Sequence, residues 1–243
     1  MDSSARQQAY DRGSTIFSPD GRLYQVEYAR EAVERGAPSV GVVADDGVVL
    51  AARKRLRSPL LESASVEKIH AVDDGLAVAS AGHAADARQL VDVARRTSQH
   101  HRLRYGEPIG VERLAKRLAD HVQERTQNGG SRPYGAALLV GGIDATGDAN
   151  RPRLFEVDPS GTPYGWTATA IGDGASDVRS VFGAAADDTG GRQRAVETAL
   201  EGLDATADDD LESTGLEVRT ITADGIETLS ENRVADVLAT VGS

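Results

Sequence analysis

The chain has 243 residues, 40% of them hydrophobic and only 4% aromatic, so any core it builds is aliphatic. It contains no cysteine, which excludes disulfides and thiolate metal sites. The net charge of -11 comes from 38 acidic against 27 basic residues, and only three of the basic ones, Lys54, Lys68 and Lys116, are lysines.

An acidic, lysine-poor surface repels itself, and high salt screens that repulsion, so adaptation to salt is one expectation; a GC-rich genome, which favours Arg over Lys, is the other reading of the composition. Without a basic stripe, nucleic acid is not an expected partner. No apolar run approaches the ~18 residues that span a bilayer, and the opening MDSSARQQAY has no apolar stretch that could act as a secretory leader. Together these predict a cytoplasmic protein without a membrane partner.

In chain order, residues 1–21 read as an arm that ends in the turn SPDG, yet it holds the aromatics Tyr10 and Phe17. A helix is predicted over 22–35, where Leu23, Val26, Ala29 or Arg30, and Val33 share a face and Gly36 and Pro38 stop it. SVGVVADDGVVLAAR (39–53) and EKIHAVDDGLAVASAG (67–82) each place two apolar runs around Asp-Asp-Gly, a hairpin signal. Helices follow over 84–102 and 110–127, the second with the cleanest apolar stripe, Val111, Leu114, Ala115, Leu118 and Val122.

Strand patterns return at 135–144 and 153–172, the latter read as a hairpin around Pro-Ser-Gly. Helical patterns occupy 175–186 and 192–205, a last hairpin 216–230, and the final helix ENRVADVLATV. Strands in hairpin pairs and helices in pairs argue for antiparallel sheets with helices on their outer faces. Two stacked sheets, each covered outside by helices, would bury every apolar stripe in one domain, with ADDDLEST (207–214) as a surface loop.

Three candidate chemistries stand out. GDGASD (172–177) brushes against a dinucleotide fingerprint, but its sixth position is Asp177 and no βαβ unit surrounds it, so a strand-to-helix turn is the better reading. His70, His83, His100, His101 and His121 lack the spacing of a zinc helix and predict no metal site. GST (13–15) could mark self-cleavage that frees Ser14 or Thr15 as an N-terminal nucleophile, whose own amine acts as base. Such a site also needs a lysine.

The segment YDRGSTIFSPDGRLYQVEYAREAVERGAPSVGV closely resembles the N-terminal signature of archaeal proteasome α-subunits, and the composition looks haloarchaeal. SVEKIH, AGHAADARQLVD, YGEPIGVERL, SRPYGAALLVGG and DPSGTPYGWTATAIG match the same family in the same order, from about Ala9 to Gly172. The resemblance implies an α+β fold, an Ntn-type four-layer α-β-β-α sandwich with an extra N-terminal helix. It divides residues 1–243 into a gating arm (1–21), that helix (22–35) and the sandwich (39–243) of a single domain.

It further implies seven-membered rings of α-subunits that cap proteolytic β-subunits, gate substrate entry and dock AAA+ regulatory ATPases, with no cofactor. Proteolytic relatives carry an N-terminal Thr where this chain has Ala37, so the chain is expected to be non-catalytic, although their lysine is retained at or near Lys68. The gate set of the family matches Tyr10, Asp11, Pro19 and Tyr28. The lysine that receives an activator's terminal carboxylate matches Lys68, and Arg30 and Gly82 match other pocket positions. His83 replaces an expected aliphatic residue. The loop that rings the pore matches Gly129, Gly130, Arg132, Pro133, Tyr134 and Gly135, with Asn128 where an aromatic can occur. The rival reading is a self-processing Ntn amidohydrolase built on GST.

Overall fold

The computed structural model describes residues 17, 21, 23–127, 131–146, 149–184, 190–207 and 211–241. The first helix among the described residues, α1 (Tyr24–Glu34), buries Val26, Ala29 and Val33 of the expected stripe, while Leu23 stands part-buried just before it. The hairpin β1 (Ser39–Ala44) and β2 (Gly47–Arg53) closes over Asp45 and Asp46, with Ala44 opposite Gly47. A second hairpin pairs β3 (Ile69–Asp73) with β4 (Leu76–Gly82) and carries a register shift between Ala71 and Asp73.

Helix α2 (Ala84–Tyr105) runs beyond the expected 102, because Gly106 ends it in the left-handed region (φ 75°) and donates its N–H to the Arg102 carbonyl. Helix α3 (Val111–Gln127) follows, its first N–H, that of Val111, donating to Asp144 Oδ1 at 2.6 Å. Then come β5 (Ala136–Thr146), β6 (Ala149–Val157), β7 (Pro163–Trp166) and β8 (Ala168–Ile171). The chain continues with α4 (Ala175–Ala184), α5 (Arg192–Asp204), β9 (Leu216–Thr222), β10 (Gly225–Thr228) and α6 (Glu231–Val241).

The strands form two five-stranded antiparallel sheets, ordered β10-β9-β2-β1-β8 and β3-β4-β5-β6-β7. Alternation along each strand divides the core into three layers. In β4, Leu76 and Val78 join the cluster under α2 and α3, whereas Ala77, Ala79 and Ala81 face the other sheet. In β2, Val49 and Ala51 pack under α5, whereas Val48, Leu50 and Ala52 point between the sheets. Strands buried on both faces read as continuous apolar runs, which is why GVVLAA shows no polar alternation.

One expectation changes. The hairpin read over 153–172 is β6 with β7 only. At Thr167 the chain leaves that sheet, and β8 joins the opposite one beside β1, with Ala170 opposite Val40. Only Thr167 separates the largely exposed β7 from the buried β8, so the two read as one run and periodicity does not mark the switch. Among the described residues no helix is long and apolar enough to cross a membrane.

Candidate functional site: a cationic cavity beside the first strand

The end of α1, the start of β1 and the end of β4 meet in one corner. Gly82 sits at φ 100°, and a Cβ on it would lie 2.4 Å from the Gly135 carbonyl oxygen. A Cβ on Gly36 would lie 2.2 Å from the Gly82 nitrogen, so the two backbones touch and neither position admits a side chain. This contact brings Ala37 and Pro38 against β3 and β4, where the Ser39 hydroxyl donates to the Ser80 carbonyl at 2.8 Å.

Lys68 reaches into the corner. Its Nζ donates to the carbonyl oxygens of Ala37 and, at 3.2 Å, Pro38. Part of the residue stays in contact with solvent, but the ammonium end is deep, and burial pushes its pKa down to about 7. The nearby Glu217 charge opposes that shift and Arg55 adds to it. Glu217 is engaged elsewhere: one oxygen accepts the N–H groups of Lys68 (2.9 Å) and Ile69 (3.3 Å), and the other pairs with Arg219 at 2.9 Å. Glu67 likewise pairs with Arg219 and His70.

The cavity above Lys68 encloses about 260 Å³ and is lined by Arg35, Arg55, Arg57 and Arg88, with Glu67 as its carboxylate. Among the described residues no carboxylate forms an ion pair with Lys68. Cations crowding a concave surface, one of them hydrogen-bonded to carbonyl oxygens and to no carboxylate, are chemically suited to an anion. The four arginines went unrecognised in sequence because 24 of the 27 basic residues are arginine, so none stands out.

The expected docking set divides. Lys68 and Gly82 line this cavity, whereas Arg30 lines a separate hollow of about 580 Å³ with Glu34, Glu156, Asp158, Asp173 and Arg179. Arg30 is fully engaged there, donating from Nε and Nη2 to Asp158 Oδ2 (3.0 and 2.8 Å) and from Nη1 to Glu27 at 2.8 Å. Glu156 in the same hollow has its pKa raised by burial, an effect that Arg179 and Thr169 counter only in part. The GDGASD segment is a strand-to-helix turn between antiparallel β8 and α4.

Of the gate residues, Tyr10, Asp11 and Pro19 lie outside the described residues, as does GST (13–15), and Tyr28 is 45% exposed on α1. Of the pore-loop residues, Gly129 and Gly130 also lie outside them. Arg132 is exposed, while Pro133, Tyr134 and Gly135 are buried. Tyr134 belongs to the core under α2 and α3, its hydroxyl 3.1 Å from His121 Nε2 and Arg125 stacked 4.6 Å over its ring. His83 is the residue before α2, with its side chain 60% exposed. Among the described residues no group of three or more His, Cys, Asp or Glu is arranged to hold a metal.

Two five-stranded sheets between helical layers, with an extra helix ahead of the first strand, define an Ntn-type α+β sandwich. The model of the proteasome subunit family matches residues 33–221, and the N-terminal signature of its A-type members matches residues 10–32. The chain is 56% identical to the proteasome alpha 1 subunit of Haloferax volcanii, covering 92% of this chain and 87% of that one. It is also 56% identical to the proteasome alpha 1 subunit of Haloarcula marismortui (91% and 84% covered) and 52% identical to the proteasome alpha subunit of Natronomonas pharaonis (96% and 91% covered). The chain therefore belongs to the proteasome α-subunit family.

Proposed function

We propose that this chain is a non-catalytic component of a proteasome core that forms the outer α-rings, gates substrate entry and docks a regulatory ATPase. The observation that carries the reading is the cavity at Lys68: a buried ammonium with no carboxylate partner among the described residues, walled by arginines, suits the terminal carboxylate of an activator. The partners are then other α-subunits, proteolytic β-subunits and the ATPase, and the place of work is the cytoplasm.

Ala37 supports the non-catalytic part. It stands at the head of β1 with neither hydroxyl nor free amine, so it supplies neither nucleophile nor base. The same residue argues against a self-processing amidohydrolase. Residues 1–243 act as one domain, in which Tyr10, Asp11, Pro19 and Tyr28 shape the gate and the segment 129–135 rims the pore. Arg30, held by Asp158 and Glu27, takes a structural role at the edge of the docking region, whose charge comes from Lys68 and the arginines that wall its cavity.

The test uses particles assembled with β-subunits in molar salt. A charge-assisted contact contributes roughly 1.5–3 kcal/mol, so Lys68→Ala should leave assembly intact and abolish ATPase-stimulated protein degradation. Deleting residues 2–12 should raise peptide hydrolysis without any ATPase. Lys68→Ala particles that still respond fully would refute the docking role. Purified chain whose mass lacks residues 1–13 or 1–14 would restore the self-processing reading.

A further inference from the structure

The segment that leads into β5 is gripped by one buried acid. Asp86, only 3% exposed, lies in the first turn of α2. Its Oδ2 accepts from Arg132 Nη1 at 2.6 Å and its Oδ1 from Arg132 Nη2 at 2.8 Å, a two-pronged pair. Oδ2 also accepts the Gly135 N–H at 2.9 Å. One residue before α2, the His83 N–H donates to the Gly135 carbonyl at 2.7 Å. Burial alone would raise the Asp86 pKa, but Arg132 and the Gly135 N–H more than offset it and hold the carboxyl below its ordinary value.

An acid in the first turn of a helix is ordinarily explained by the helix dipole. Here both carboxylate oxygens are engaged by Arg132 and Gly135, outside the helix. The same turn and the one after it carry Ala84, Ala87 and Arg88 into the wall of the Lys68 cavity. The start of α2 therefore touches the cavity on one side and the 132–135 backbone on the other.

We propose that Asp86 is a positioning residue that fixes the rim segment Arg132–Gly135 to the helix walling the docking cavity, and so sets how wide the entrance stands. The proposal rests on the pore reading above. Its physical content is that a rigid two-point clamp, Arg132 and Gly135 on one carboxylate, places the exposed end of this segment relative to the buried Tyr134. Asp86→Asn keeps the size and an acceptor for Gly135 but removes the charge that holds Arg132.

The experiment uses full-length chain assembled with β-subunits, with residues 2–12 deleted so that the arm does not mask the rim. Hydrogen exchange is read by mass spectrometry on peptides covering 131–136 and, as a core reference, 138–141. Degradation of an unfolded protein is compared with hydrolysis of a short peptide. Asp86→Asn should speed exchange at 131–136 about tenfold, the worth of one charge-assisted contact, leave 138–141 unchanged, and change protein degradation severalfold with little effect on the peptide. Asp86→Glu should restore part of both effects.

Unchanged exchange at 131–136, or an equal rise in the core peptides, overturns the positioning role. A second variant, Ser131→Trp, places bulk on the segment itself and tests the pore reading separately. If it alters protein degradation while Asp86→Asn does not, the proposal is wrong and the pore reading stands. If neither variant alters it although local exchange rises, the pore reading falls, and Asp86 is the anchor of an ordinary loop.

Discussion

Lys68 and Asp86 are both charged groups carried into the same corner of the molecule, and they differ in how completely the protein satisfies them. Asp86 has three donors on two oxygens. Lys68 has two carbonyls and an arginine-rich cavity in place of a counter-ion. Burial opposes the charged form of each, yet the Asp86 pKa ends below its ordinary value and that of Lys68 falls to about 7. A satisfied buried charge holds structure in place, whereas an unsatisfied one leaves interaction energy for a ligand.

The largest effect is expected when Asp86 is stripped of its partner. Arg132→Ala leaves a buried carboxylate with one N–H, and we expect a loss of about 2–3 kcal/mol in denaturant unfolding, below the usual cost of a fully buried pair because Arg132 is more than half exposed. Asp86→Asn, which removes the charge itself, should cost less, about 1.5 kcal/mol. A larger loss for Asp86→Asn than for Arg132→Ala would reverse the assignment of which group is buried and dependent.

Titration comes next. Lys68 binds an anion only when protonated, so activator-stimulated degradation should fall as pH rises through about 7, by up to ~1.4 kcal/mol of docking energy per pH unit. Stability should move the other way. The folded pKa near 7 lies below the ordinary lysine value, so the unfolded chain binds more protons between the two, and Lys68 makes the fold more stable as pH rises from about 7 to about 10. Asp86 has the depressed carboxylate pattern: its contribution is present above the ordinary value of about 3.9 and is lost as pH falls below it. A pH-independent activator response between about pH 6 and 8.5 would count against a titrating Lys68.

A smaller effect is expected from Lys68→Met. Replacing a poorly paired buried ammonium by an apolar chain of similar length should leave stability unchanged or raise it by about 1 kcal/mol, while the activator response disappears. A clear loss of melting temperature would mean that Lys68 serves the fold after all. The smallest effect sets the scale: Arg35 and Glu31 are an exposed pair, with side chains 80% and 54% accessible, and their coupling in a double-mutant cycle should be below about 0.5 kcal/mol and vanish in molar salt. The Asp86–Arg132 coupling should survive the same salt.

Most of the fold was legible because local rules and global packing agree. The stripe of α3, the two Asp-Asp-Gly hairpins and the stop after α1 carry their own signals, and the layered architecture follows from which faces they leave apolar. The crossing from β7 to β8 was not legible, since a single residue, Thr167, separates two strands that together read as one run in the sequence. Within the candidate site, Lys68 stood out among three lysines and the motif EKI marked it. Asp86 and Asp158 did not, because an acid reads as solvated surface until its partner, 46 or 128 residues away in sequence, is known.

The amino-acid order, then, determined most of the elements and the absence of thiol chemistry, properties of single residues or of neighbours along the chain. Tertiary structure alone decided that Lys68 has no counter-ion among the described residues while Asp86 has one, and that Arg30 lines a different hollow from Lys68. The reason is physical. Whether a charge is satisfied depends on desolvation and on partners within hydrogen-bond reach, and both are set by which distant segments the fold brings together.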